Sequence, residues 1–267
     1  MKIGFEGKVV MVTGAGRGIG LALARAFAES GAAVMLTDLK VDRVRAEARR
    51  LKAKGSATAS IGHDVSVEAQ WEAAVVRCNA ELGGLDVLVN NAGIEETGLL
   101  ADFDLAAFRR MLDVNVAGAF LGLKHGLRAM RPGGSAGNGG AILNVSSMTA
   151  LSAHACLGPY GASKAAVERL SKVAAVEAGK LGWNVRVNCV YPGFINSDVG
   201  TKLAADLARL GFVGSPEAAL RYIAERTPLG QMGEAKDLVG AALLLCSDHA
   251  RYVTGSGVAV DGGASLG

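Results

Sequence analysis

Short apolar runs rich in β-branched residues alternate with longer stretches of helical periodicity along this chain of 267 residues. Such alternation is the mark of βαβ units stacked on a parallel sheet. The runs predict strands at 8–13, 33–37, 57–61, 86–89, 141–145, 184–190 and 256–260. Helices are predicted between them at 18–30, 41–53, 67–82, 104–130, 158–182 and 235–246. Gly31, Gly55 and Gly83 stand where the first three must stop, since glycine accepts the left-handed C-terminal cap. Residues 132–140 read as a flexible loop within one domain. Residues 196–232, broken by Gly200, Gly211, Gly214, Pro216 and Pro228, read as an irregular lid that orders on binding. Two successive βαβαβ halves emerge. The expected fold is therefore α/β: one domain over residues 1–267, with a doubly wound, parallel, seven-stranded sheet and helices on both faces. Such sheets bind their ligand beyond the carboxyl ends of the strands, where the strand order reverses.

Composition narrows the function. Half the residues are hydrophobic, 20% are charged and 5% aromatic, with a net charge of +3. A surface of phosphate clamps and stacking rings for nucleic acid is not expected. No apolar run approaches the ~18 residues of a membrane span, and residues 1–8 hold no apolar signal core. Cys78, Cys156, Cys189 and Cys246 are widely spaced and read as buried thiols in a reducing compartment. The expectation is a cytoplasmic protein without a structural metal.

Tyr160 and Lys164 carry the chemistry. Residues four apart share a helix face, so the lysine charge can lie beside the phenol and lower a pKa that is ordinarily near ~10. The pair reads as a proton acceptor and donor for alcohol–ketone interconversion. At the other end of the chain, Gly14, Gly18 and Gly20 form a GxxxGxG turn between the first strand and first helix. Glycines there let the backbone approach a pyrophosphate resting on the helix N-terminus, the arrangement of Rossmann folds. Asp38 ends the second strand, where a carboxylate accepts hydrogen bonds from the ribose of NAD and repels the 2′-phosphate of NADP. Arg17 argues the other way, Leu39 offers no second cation, and Lys40 stands one position further on. The expectation is NAD, with NADP less favoured. The Asp64-Val65 loop and the Asn90-Asn91-Ala92-Gly93 loop lie at the same sheet edge, the first offering a carboxylate to an adenine amino group.

Together these motifs resemble the short-chain dehydrogenase/reductase family over residues 8–263: TGAGRGIG, Asp38, Asp64, NNAG, Asn115, Ser147, YGASK and PGFINS. The resemblance implies that Tyr160 is the acid/base and that Ser147 binds the substrate oxygen. It implies that Lys164 lowers the tyrosine pKa and holds the nicotinamide ribose. Asn115 would anchor a proton-relay water, and Asn90 would steady the sheet. Ile19 of the glycine turn, Pro192, Gly193, Ile195 and Ser197 would complete the cofactor site, with Ser197 replacing the family's usual threonine. The substrate wall is read as Met148, His154 and Leu157 with Leu151, Leu203, Leu207 and Phe212, suiting a hydrophobic or cyclic secondary alcohol. Glu95 and Glu96 read chiefly as solvated; the other reading is a contact to a substrate hydroxyl, as a polyol would require. Alternatives are an NADP-linked 3-oxoacyl reductase, a polyol dehydrogenase, a sugar-nucleotide epimerase, or an NAD-sensing regulator on the same fold. The family also implies a homotetramer.

Overall fold

In a computed structural model describing residues 3–266, every expected strand forms within two residues of its predicted bounds. They are Val9–Thr13 (β1), Ala33–Asp38 (β2), Thr58–Gly62 (β3), Val87–Asn90 (β4), Gly140–Val145 (β5), Val185–Pro192 (β6) and Gly257–Val260 (β7). Met1 and Lys2, part of the stretch read for a signal core, lie outside the described residues. All pairings are parallel, in the order β3-β2-β1-β4-β5-β6-β7. The chain runs outward from β1 to β3 and returns to lay β4 on the other side of β1. The strand order thus reverses between β1 and β4, and a crevice opens at their carboxyl ends.

Alternation along the strands divides the core in two, because successive side chains point to opposite faces. Val10 and Val12 face a cluster with Leu23 and Phe27 of α1 (Gly18–Glu29), Val44 and Leu51 of α2 (Val41–Ala53) and Leu245 of α9 (Leu238–Cys246). Val9 and Met11 face the other. There Trp71 and Cys78 of α3 (Glu68–Leu82), Leu121 of α5 (Gly118–Met130) and Ala174 of α6 (Gly158–Lys180) cover the sheet. Each fully buried large side chain, such as Phe27 at 0% exposure, contributes about 1.5–3 kcal/mol. No helix among the described residues is long and apolar enough to cross a membrane.

Two stretches differ from expectation. The single helix predicted at 104–130 is α4 (Leu105–Leu112) and α5 joined by a wider π-helical turn, Asp113–Ala117. Such turns are frequent at functional sites, and Asn115 sits on this one. The stretch read as irregular carries α7 (Asp198–Arg209) and α8 (Pro216–Arg226). The Ser197 and Ser215 hydroxyls accept from Gly200 N (3.3 Å) and Ala218 N (3.1 Å), capping both helices. Pro216 stands in a first turn, where its missing N–H costs nothing. Gly211 follows the end of α7 at φ +80°, as a C-terminal glycine does. The glycines and prolines that suggested irregularity are the punctuation of two helices.

Candidate active site

Two turns are stitched together at the mouth of the crevice. Gly14 adopts φ +62°, and a Cβ on it would come within 2.9 Å of the Ala92 Cα. A Cβ on Gly20 would run into the Gly14 carbonyl and the Asn91 amide. Asn91 Nδ2 donates to Thr13 O (2.8 Å) and Gly14 O (3.2 Å), and the Thr13 hydroxyl accepts from Asn91 N and Ala92 N, both at 3.0 Å. The NNAG turn is thereby pinned to the glycine turn. Arg17, extended before α1, makes no side-chain cap. The first-turn N–H groups stay available, and a helix N-terminus favours an anion.

The acids around this turn are largely engaged with backbone. Asp38 accepts from Gly16 N (3.0 Å) and Lys40 N (2.8 Å). Asp64 Oδ1 accepts from Ser66 N (3.0 Å) and the Ser66 hydroxyl (2.6 Å). Arg17 pairs with Asp198 at the start of α7, 3.2 Å away. Arg43, on the first turn of α2, also lines this end of the cleft. Sequence reading passed over it; its place five residues beyond Asp38 was the available signal.

At the other end, β5 delivers Ser146 and Ser147, and α6 presents Tyr160 and Lys164. Ser147 is buried, and its hydroxyl accepts from Thr149 N at 3.2 Å. Lys164 is 5% exposed, and Nζ donates to Val145 O at 2.9 Å. Nζ lies 5.6 Å from the centre of the Tyr160 ring. Asn115 is clamped to the backbone of Ile94, donating to its carbonyl (2.9 Å) and accepting from its N–H (2.8 Å). It also donates to the Ser163 hydroxyl at 3.0 Å, which in turn donates to Tyr160 O at 2.7 Å. Asn90 lies beneath, donating to Asn144 at 2.7 Å in the buried centre of the sheet.

Electrostatics correct one expectation. The Tyr160 phenol is held above its ordinary value, first by burial and then by the nearby Glu95 carboxyl, while its bond to the Ser147 hydroxyl opposes both. Lys164 does not reverse this. Burial pushes its own ammonium down to about 8, against the pull of Glu95, and its proton donor is directed at a carbonyl. Removing charged groups from water disfavours the charged form of each.

One cleft of about 1200 Å³ joins both ends. Its walls include Gly14, Arg17, Gly18, Ile19, Asp38 and Leu39 from the first half, with Asp64, Val65, Asn91, Ala92 and Gly93 beside them. Pro192, Gly193, Ile195 and Ser197 follow β6, and Ser147, Met148, Leu157, Tyr160 and Lys164 close the other side. Gly20 and Asn115 support this wall from behind and do not line it. His154 does not line it either: its ring bonds the Ser152 hydroxyl (2.9 Å) and meets Phe194 edge-on at 5.7 Å. Leu151, Leu207 and Phe212 are also absent from the wall, while Ile94 and Leu203 belong to it. Of the two glutamates read as solvated, Glu96 pairs with Arg110, and Glu95 is half-buried in the cleft wall, its carboxyl pushed up to about 7 by burial.

Comparison with known proteins identifies the family. A family model described as enoyl-(acyl carrier protein) reductase matches residues 14–265. A 2,5-dichloro-2,5-cyclohexadiene-1,4-diol dehydrogenase of Sphingobium indicum is 33% identical over 98% of this chain and 97% of its own. An NADP-dependent (R)-specific alcohol dehydrogenase of Lentilactobacillus kefiri is 35% identical, covering 97% and 96%. Among solved structures, a gluconate 5-dehydrogenase of Burkholderia cenocepacia in complex with NADP and tartrate superposes with a TM-score of 0.89. That alignment covers 100% of this chain and 98% of the other, at 32% identity. The chain belongs to the short-chain dehydrogenase/reductase family. It is an NAD(P)-dependent dehydrogenase acting on CH–OH groups.

Proposed function

We propose that the protein interconverts a hydrophobic or cyclic secondary alcohol and its ketone, using NAD. The observation that carries this reading is the continuity of one cleft from the uncapped glycine turn and Asp38 to Ser147, Tyr160 and Lys164. The residues present suit a nicotinamide dinucleotide. Gly14 and Gly20 leave room that a Cβ would fill, and Gly93 lies where a Cβ would sit 3.4 Å from Lys164 Nζ. Gly14, Gly18 and the α1 N-terminus would hold the diphosphate, Asp38 and Leu39 the adenine ribose, and Asp64 and Val65 the adenine. Asn91, Ala92, Gly93, Pro192, Gly193, Ile195 and Ser197 would surround the nicotinamide half.

The nicotinamide, when bound, supplies hydride exchange and a positive charge beside the phenol. In oxidation the Ser147 hydroxyl donates to the substrate oxygen and Tyr160, as phenolate, takes the hydroxyl proton. Lys164 would hold the nicotinamide ribose, and its ammonium lies beside the phenol, 5.6 Å from the ring centre. Asn115, fixed by Ile94 and Ser163, anchors the relay that returns the proton to solvent. Met148, Leu157, Ile94 and Leu203 give the substrate end its apolar character.

Arg17, Lys40 and Arg43 on the adenosine side of the cleft support a second reading in which NADP serves. The fixed carboxylate of Asp38 favours NAD, because its charge would repel a 2′-phosphate. The homotetramer implied by the family is also proposed, with exposed Phe120 of α5 and Val173 and Val176 of α6 as the apolar surface it would cover. The four free, buried cysteines suit the reducing cytoplasm.

The test is reduction of NAD by the purified protein across aliphatic, aromatic and cyclic secondary alcohols, with NADP in parallel. Turnover with NAD is expected. Tyr160→Phe is expected to lower kcat by about 10²-fold or more while dinucleotide binding survives. Near-normal turnover in that variant would sink the assignment, and turnover with NADP alone would overturn the cofactor choice.

A further inference from the structure

The segment between Gly93 and Gly98 is held at both ends. Asn115 clamps the backbone of Ile94 by two hydrogen bonds, of 2.8 and 2.9 Å. Four residues later Gly98 N donates to Cys156 O at 3.0 Å. Cys156 adopts φ +67°, a left-handed backbone that is unfavourable for a side-chain-bearing residue and persists only where the surroundings enforce it. The clamp thus ties the segment to the loop that carries the catalytic serine into α6. Glu95 stands between these fixed points, on the same cleft wall as Ser147, Tyr160 and Lys164.

Its neighbours have partners and it does not. Glu96 pairs with Arg110, and Lys202 with Asp206 at 2.7 Å. Among the described residues Glu95 forms no side-chain hydrogen bond or ion pair. It is half-buried, and burial outweighs the attraction of Lys202 and Lys164 in raising its carboxyl to about 7. The carboxyl is near enough to the reacting centre for its charge to be felt by both Tyr160 and Lys164. The Glu95 carboxyl is an unpaired acceptor facing the cleft, and a site whose acceptor bonds a substrate hydroxyl selects for that hydroxyl.

We propose that Glu95 is a specificity-determining residue that receives a second hydroxyl of the substrate, selecting uncharged diols and hydroxyketones over monohydric alcohols and hydroxy acids. The inference rests on the dehydrogenase reading above and sharpens its substrate class. A hydroxyl beside or across the ring from the reacting carbon donates to the carboxylate. A substrate carboxylate brought to the same place meets like charge and is rejected. A site built to bond a substrate hydroxyl also discriminates strongly against the analogue lacking it.

The experiment compares kcat/KM for cyclohexanol, trans-cyclohexane-1,2-diol and 4-hydroxycyclohexanecarboxylate in the wild type, Glu95→Gln and Glu95→Leu. In the wild type the diol is expected to exceed the monohydric alcohol. Glu95→Leu is expected to lower that ratio by at least about tenfold; because Glu95 also acts on Tyr160 and Lys164, the ratio is taken within each variant, where a change common to both alcohols cancels. Glu95→Gln, which keeps an acceptor and loses the charge, should retain part of the ratio and accept the carboxylate substrate better than the wild type. The wild-type ratio should follow one ionisation near 7 that Glu95→Gln lacks. A diol-to-monohydric ratio unchanged in Glu95→Leu overturns the role of Glu95 and leaves the dehydrogenase reading standing. A wild type inert on every secondary alcohol overturns that reading, and this inference with it.

Discussion

Around Gly14 the polar groups are spent on backbone: Asn91 on the carbonyls of Thr13 and Gly14, Thr13 on two N–H groups, and Asp38 on the loop that it faces. Around Glu95 and α7 the cleft wall is made differently. A carboxyl stands unpaired, and α7 and α8 begin on serine caps. The bridge from α7 to the glycine turn is the exposed Arg17–Asp198 pair, with side chains 58% and 88% accessible. Exposed pairs of this kind contribute little, about 0–1 kcal/mol. The nucleotide wall is tied to backbone at several points, although His63 Nε2 on it has no partner, and the substrate wall holds the unpaired Glu95 carboxyl and lightly anchored helices. This is a sensible division, since the cofactor is a fixed shape and the substrate wall must discriminate and admit.

The sharpest way to break that comparison is Gly20→Val. Its Cβ would meet the Gly14 carbonyl and the Asn91 amide, and backbone cannot step aside cheaply. A stability loss of about 1–3 kcal/mol is expected, with dinucleotide affinity falling by more than about tenfold, the equivalent of 1.4 kcal/mol. Calorimetric titration with NAD and chemical denaturation read both. Unchanged affinity would show that the turn tolerates rearrangement and is not over-determined.

His63 sharpens the contrast through pH. Its ring is 3% exposed, bonded to the Thr37 hydroxyl at 3.0 Å and set edge-on to Trp71 at 4.5 Å. Burial lowers its pKa from 6.5 to about 4. The unfolded chain therefore takes up the proton first as pH falls, and stability is fully present above 6.5 and lost between 6.5 and 4. The loss is up to about 3 kcal/mol, at 1.36 kcal/mol per unit. Tm measured across that window should fall less steeply in His63→Leu than in the wild type; parallel curves would show that the ring is not held neutral by the nucleotide half.

The smallest effect belongs to the substrate wall. Ser215→Ala removes the cap of α8 at a cost of about 1 kcal/mol. If this wall opens separately, hydrogen exchange will quicken in α7 and α8 and leave α1 protected. Equal loss of protection across the sheet would mean that the two walls are one cooperative unit.

How much of this was legible follows from range in sequence. The central strands were readable because burial on both faces makes β1, β2 and β4 nearly continuous apolar runs, while the less buried β3 and β7 were readable from their place in the βα alternation. The glycine turn and the Tyr160–Lys164 spacing were readable because both are local geometry. Misreading began where a local signal had two meanings: Gly211 and Pro216 break structure or punctuate helices, and only the caps of Ser197 and Ser215 decide between them. His154 lies within six residues of Tyr160 in sequence, and yet Ser152 and Phe194 hold it off the cleft wall.

The sequence by itself determined the strand order, the parallel sheet with its switch point, and the glycine turn, Asp38, Ser147, Tyr160 and Lys164 that meet at the carboxyl edge, because these depend on periodicity, turn chemistry and topology. Only the tertiary structure decided the electrostatics of that meeting. A phenol held above its ordinary value, an ammonium at about 8 and the Glu95 carboxyl at about 7 arise from burial and from charges brought together across the fold. Glu95 and Tyr160 are far apart along the chain, and no pattern of neighbouring residues encodes the loss of water that their shared cleft imposes.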